Sequence, residues 1–99
     1  MSLATVFIPT MLRPLAEDRQ TVDVDGGTVA EVVINLTRLY PKLNSRLLDG
    51  HQLRGNISVA IDGEISTLGM LDDVEEDSEV HFIPAISGGW QESDAVALG

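Results

Sequence analysis

Two glycines close the last apolar run of this sequence. The run "VHFIPAISGG", residues 80–89, ends at Gly88 and Gly89, and "WQESDAVALG", residues 90–99, comes after it. Glycine has no Cβ, so a Gly-Gly segment lets an extended backbone enter a channel too narrow for any side chain, and it lays the carbonyl open to close attack. The chemistry on offer is therefore main-chain acyl chemistry, performed by another enzyme on this chain. A plain joint leading into a polar end is the alternative, and the dipeptide alone does not separate the two.

The other residues that could do chemistry are poorly arranged for it. With no cysteine in the chain, disulfides, thiolate metal sites and cysteine nucleophiles are all excluded, and a reducing, cytoplasmic setting is expected. His51 and His81 are far apart in sequence and no third ligand pattern surrounds either, so no metal site is expected. The run "DDVEEDSE", Asp72 to Glu79, is rich in carboxylates but lacks the ordered spacing and turn glycine of a calcium loop; it suits a solvated turn, or a surface that steers toward a basic groove. There is no G-x-S-x-G, and Gly26-Gly27 opens a helix without the lysine of a phosphate-cradling loop. No catalytic residue is assigned, and the chain is not expected to be an enzyme.

Charge narrows the partners. Sixteen acids against six bases leave a net charge of −10, which repels phosphate backbones and anionic lipid, so neither nucleic acid nor a membrane is expected. A basic protein surface fits better. The start of the chain lacks the pattern of a signal peptide, and no eighteen-residue apolar run occurs.

The elements that would carry the glycines follow from periodicity. "LATVFIP" (residues 3–9) is a β-branched and aromatic run that stops at Pro9, a central strand. After the turn-like "RPLAEDRQ", Val22 and Val24 alternate with Asp23 and Asp25, which predicts a second strand in a hairpin with the first. Thr28 with Glu31 forms a capping-box pattern, and Val29, Val32, Val33, Leu36 and Leu39 make one helical stripe, with Glu31, Asn35 and Arg38 toward water and Pro41 as the stop. "KLNSRLLDGHQLRG" has leucines without a period and is assigned to loop with one short helical turn. Ile57, Val59 and Ile61 mark another strand, Asp62-Gly63 a tight turn into its return at Glu64-Ile65, and "VHFIPAI" the last strand, where regular pairing fails at Pro84. Phe7 and Phe82 are expected in the core, and His81 on the less apolar face. The sum is an α+β roll: a mixed sheet of four to five strands, the first and last central, with one main helix across one face.

Several segments taken together carry a resemblance. "VFIPTMLRPL", "GGTVAEVVINL", the acid-rich turn before the last strand and "VHFIPAISGG" resemble the ThiS/MoaD family of ubiquitin-like sulfur carriers over nearly all of residues 3–89. "PAISGG" is the most specific piece, and "IPTMLRP" looks particularly like carriers of the cysteine-forming CysO type. The resemblance implies a β-grasp domain over residues 1–89 and a separate tail over residues 90–99. It implies that Gly89 is the site of adenylation and thiocarboxylate formation, that Pro84, Ala85, Ile86, Ser87 and Gly88 form the recognised tail, and that sulfur then passes to an acceptor. It implies no cofactor bound to the carrier itself, with ATP used by the activating enzyme.

The end of the chain departs from that pattern. Family members with a ready-to-use tail end at the second glycine, whereas Gly89 here is joined to Trp90. A JAMM-type metalloprotease cutting between Gly89 and Trp90 is therefore implied as a partner, beside an activating adenylyltransferase and a sulfur-accepting synthase. Trp90 is open to two roles, a protease contact or a ring resting on a nearby apolar patch. Arg13 and Pro14 recur in the resemblance and suit a turn that fixes the hairpin, or a partner surface. A ubiquitin-like protein modifier joined to targets through Gly89, and an interaction module never processed, remain as alternatives.

Overall fold

The two most apolar strands meet at the centre of the sheet. In the computed structural model, which describes residues 3–84, β1 (Leu3–Phe7) and the last strand, β7 (Glu79–Pro84), are parallel neighbours with Val6 opposite Val80. β2 (Thr21–Asp25) pairs antiparallel with the outer side of β1. β5 (Ile57–Ile61) pairs antiparallel with β7, and β6 (Glu64–Ile65) returns along β5. The sheet is thus five-stranded in the order β2-β1-β7-β5-β6, and β3 (Leu48–Asp49) with β4 (Gln52–Leu53) forms a separate small pair. The expected α+β mixed sheet with central first and last strands is the one found.

Helix α1 (Val29–Leu39) packs across one face. Val29, Val32, Val33 and Leu36 are fully buried, each worth about 1.5–3 kcal/mol of transfer free energy. Thr28 Oγ1 accepts the Glu31 N–H at 3.2 Å, while Glu31 Oε1 accepts from Gly27 N–H at 2.8 Å, so the reciprocal arm of the cap lands one residue before the N-cap. Gly26 lies where a Cβ would meet Val32 N at 2.8 Å: the chain entering the helix passes against the helix's own first turn.

Several expectations are corrected. Leu39 is 57% exposed, because it ends α1 in an open hollow beside Leu15, Tyr40 and Pro41 where the core no longer covers the helix. Asn35 is half-buried, its amide donating to Asp25 O at 2.7 Å and tying the helix to the end of β2. Phe7 is outside the core: the alternation that buries Ala4, Val6 and Ile8 puts it on the opposite face, whereas Phe82 is buried as expected. The "turn-like" connection after β1 is a 3₁₀ helix, Thr10–Ala16, which anchors itself through buried Leu12 and Ala16 and ends at Glu17 and Asp18, both with positive φ. The segment assigned to loop holds a 3₁₀ turn (Pro41–Leu43), the short helix α2 (Asn44–Leu47) and β3–β4. Its leucines lack a period because each short element sends in its own anchor: Leu43, Leu47 and Leu48 are all buried.

The acid-rich connection into β7 is partly structural. Asp62 sits at φ 52 in the turn from β5 to β6, a left-handed conformation that Asp and Asn tolerate. Its Oδ1 accepts from Glu79 N–H at 2.9 Å and its Oδ2 from the hydroxyl of Ser78 at 3.0 Å; Ser78 is buried, 4% exposed. One carboxylate therefore fixes where β7 begins. Asp62→Ala is expected to cost about 2 kcal/mol, the worth of charge-assisted bonds plus a stranded buried hydroxyl, and Asp62→Asn less than about 1 kcal/mol. Urea denaturation of the two variants measures the difference.

Candidate functional site

The residues that the sequence singles out follow the far end of β7. Ala85, Ile86, Ser87, Gly88, Gly89 and Trp90 lie outside the described residues; Pro84 is the last one within them. β7 is held on both sides at its start, where Thr5–Phe7 face Glu79–His81, but from Phe82 onward its partner is β5 alone, ending with Pro84 opposite Ile57. Pro84 has no N–H to continue a ladder. The strand thus brings the chain to one rim of the sheet, with Pro84 the last described residue and opposite Ile57.

A hollow of about 330 Å³ opens at that rim, lined by Met11, Leu12, Arg46, Arg54, Ile57 and Pro84 among others. The 3₁₀ helix after β1 supplies Met11, α2 supplies Arg46, and the segment after β4 supplies Arg54. Arg54 Nη1 donates to Ser45 O at 3.3 Å, while the backbone N–H of Arg54 donates to Leu47 O, so this arginine is braced against the end of α2. The opposite end of β7 differs in sign. There a hollow of about 580 Å³ is lined by Asp62, Glu64, Asp72, Asp73 and Glu75. The molecule is polarised along β7, acids at the strand's start and two arginines where it ends, about 17 Å apart at the rise of an extended strand.

The sheet face away from α1 carries an apolar row. Phe7 and His81 stack with ring centroids 4.1 Å apart and planes 8° off parallel. His81 is opposite Ala60 and Ala60 opposite Ile65, so the row crosses β1, β7, β5 and β6. Ile65 is 61% exposed, and Ile83, two residues after His81, is also exposed. His81 therefore occupies the face expected of it, and its neighbour on that face is the phenylalanine expected inside.

Arg13 serves the fold: its Nε donates to Ile8 O at 3.0 Å, pinning the 3₁₀ helix back to the end of β1. This favours the turn-fixing role for the Arg13-Pro14 pair. Asp72 accepts from the Ser66 hydroxyl at 2.6 Å and from Asp73 N–H at 2.9 Å, so it too is spent on local structure. His51 lies exposed in the β3–β4 turn, away from His81. Among the described residues no group of three or more potential ligands is arranged to hold a metal ion, and no helix is long and apolar enough to cross a membrane.

Sequence reasoning missed the surroundings of Pro84. Met11, Arg46 and Arg54 come from three separate segments, and no spacing joins them. The only available signal was scarcity: with six basic residues in the chain, two on one hollow is a concentration visible only after folding.

Known proteins bear on this arrangement. The model of the ThiS family matches residues 6–89. The sulfur carrier protein CysO of Mycobacterium tuberculosis is 28% identical over 90 residues, covering 86% of this chain and 97% of that protein. A chain of the Amycolatopsis orientalis BexX/CysO complex superposes with a TM-score of 0.80 at 27% identity, covering 87% of this chain and 99% of that one. SAMP1 of Haloferax volcanii superposes with a TM-score of 0.75 at 28% identity, covering 89% of this chain and 100% of that one. The β-grasp fold expected from the sequence is the fold of these neighbours.

Proposed function

The chain belongs to the ThiS family, and on that footing we propose that it is a sulfur carrier, made as a precursor and working through the main-chain carboxylate of Gly89. The observation that supports this most is where the family match stops: at residue 89, the second glycine, with residues 90–99 beyond it. The similarity to sulfur carrier CysO over nearly that protein's whole length supports the same reading.

The chemistry proceeds in three steps. Water, activated by a JAMM-type metalloprotease, attacks the Gly89 carbonyl; the C–N bond to Trp90 breaks, leaving a carboxylate on Gly89 and an amine on Trp90. A carboxylate is a poor electrophile, so an activating adenylyltransferase joins it to the α-phosphorus of ATP and pyrophosphate leaves. A sulfide equivalent then attacks the acyl carbon and AMP departs with the C–O bonding pair, giving the thiocarboxylate. The carrier's own contribution is mechanical: β7 holds the tail's base fixed at Pro84, and Gly88 keeps the reacting end thin enough for a narrow active site. A sulfur-accepting synthase takes the sulfur, with cysteine formation as the favoured pathway and thiamin, molybdopterin or a specialised metabolite as the others.

A second reading has an observation of its own. A similar structure, SAMP1 of Haloferax volcanii, is that of a small archaeal modifier protein. Conjugation of Gly89 to a target amine uses the same activated carboxylate. Intact-mass spectrometry of the chain recovered from its native cell separates them. Carriage predicts loss of residues 90–99 and a gain of about 16 Da as sulfur replaces oxygen in the activated acyl group. A ladder of higher-mass adducts transfers the assignment to modification, and a chain retained intact at 99 residues removes both.

A further inference from the structure

Among the described residues, the hollow beside Pro84 has no acid in its lining, in a chain that carries sixteen. Arg46 is exposed on its rim, Arg54 is braced there by Ser45, and Met11, 68% exposed, offers a thioether to whatever occupies it. β7 delivers the chain to this same hollow. The residues beyond the glycine pair complement it in sequence: Trp90, then Glu92 and Asp94. Trp90 is six positions beyond Pro84, a reach of up to about 20 Å when extended, and glycines such as Gly88-Gly89 admit the turn conformations needed to double back within it. The hollow at the other end of β7, with its five carboxylates, repels such a segment.

We propose that residues 90–94 dock in the Arg46/Arg54 hollow of their own domain, with Trp90 against Met11, Ile57 and Pro84, and with Glu92 and Asp94 facing the two arginines. Indole against a methionine sulfur is a favourable contact, and the two exposed ion pairs bias the docked state without locking it. Docking draws the Gly88–Gly89–Trp90 backbone into a loop against the domain. Cleavage after Gly89 then exposes the hollow in the same event that creates the reacting carboxylate. That last consequence rests on the proposed maturation; the docking itself does not.

Trp90 is the only tryptophan in the chain, so its fluorescence reports the tail alone. The full chain is compared with a synthetic peptide of residues 84–99. The expected result is a blue-shifted emission and slower acrylamide quenching in the full chain than in the peptide. Both differences shrink in R46E/R54E, with the docked-to-free ratio falling about fivefold as two exposed pairs are lost. Salt at about 0.5 M, where the Debye length is about 4 Å, has the same effect. Combining R46E/R54E with E92K/D94K restores the wild-type signal, which controls for damage to the arginine-bearing segment; circular dichroism of each variant checks its fold. Three results overturn the proposal: full chain and peptide indistinguishable, a blue shift that survives undiminished in R46E/R54E, or a blue shift that grows with protein concentration, which would place the tail on a second copy. None of these involves an activating enzyme, so a negative outcome here leaves the sulfur-carrier reading standing, and failure of Gly89 to be activated leaves the docking standing.

Discussion

In a chain ending at Gly89, Gly88→Val is expected to lower kcat/KM for adenylation about a hundredfold, the scale of effect produced when a reacting atom is displaced by about 1 Å. Its melting temperature, expected within about 1 °C of the parent, is the check that the lost rate is not lost folding. The reason is shape. A carboxylate at the end of a glycine pair can be fed through an opening the width of a bare backbone, and an isopropyl group at position 88 cannot follow. Gly89→Ala, with a single methyl beside the reacting carbon, should fall between valine and the parent. Pyrophosphate release measured with the purified activating enzyme gives the rates, and an unaffected rate in Gly88→Val would remove the narrow-channel argument.

Gly26→Ala is expected to be the most damaging substitution of a glycine within the described domain. An alanine Cβ there would meet Val32 N at 2.8 Å and Val32 Cγ2 at 2.9 Å, and φ is +157° at this position. The obstructing atom is helix backbone in the first turn of α1, next to a side chain that is fully buried, so nothing near it can swing aside. Overpacking of this kind costs about 3 kcal/mol, and for a domain of this size that lowers the melting temperature by more than about 10 °C. Gly27 is the internal control: its Cβ would come only to 3.6 Å from the mobile carboxylate of Glu31, so Gly27→Ala stays within about 0.5 kcal/mol. Calorimetry on the two variants decides the matter. Equal losses would mean that the cost lies in the loop's freedom before folding and not in the contact with Val32.

These two glycine pairs show what the sequence made visible and what it hid. The stripe Val29, Val32, Val33, Leu36 was legible because a helix places its buried face by local periodicity alone, and Thr28 with Glu31 marked its start. Asp62-Gly63 was legible because both residues take positive φ, which few other pairs tolerate. Phe7 was misassigned because strand alternation fixes only which residues share a face; the choice of inner face is made by the partners, and Val6 opposite Val80 made it. The 3₁₀ helix at Thr10–Ala16 was hidden by Pro14, which signals a turn, although i→i+3 bonding tolerates it. Nothing in one dimension could gather Met11, Arg46 and Arg54, since their meeting depends on the short elements between Pro41 and Leu53 being folded. The glycine end itself was read from sequence alone; its chemistry depends on backbone identity, not on a fold.

The pairing of β7 between a parallel β1 and an antiparallel β5 has a mechanical consequence. An enzyme that tugs on the segment beyond Pro84 pulls along the axis of β7, and the bonds to both flanking strands run across that axis. Such a pull loads them in shear, first the bonds to β5 near Pro84 and then those to both strands. Shear is the geometry in which a sheet resists force best, so the strand that leads to the glycines is also the one most firmly moored.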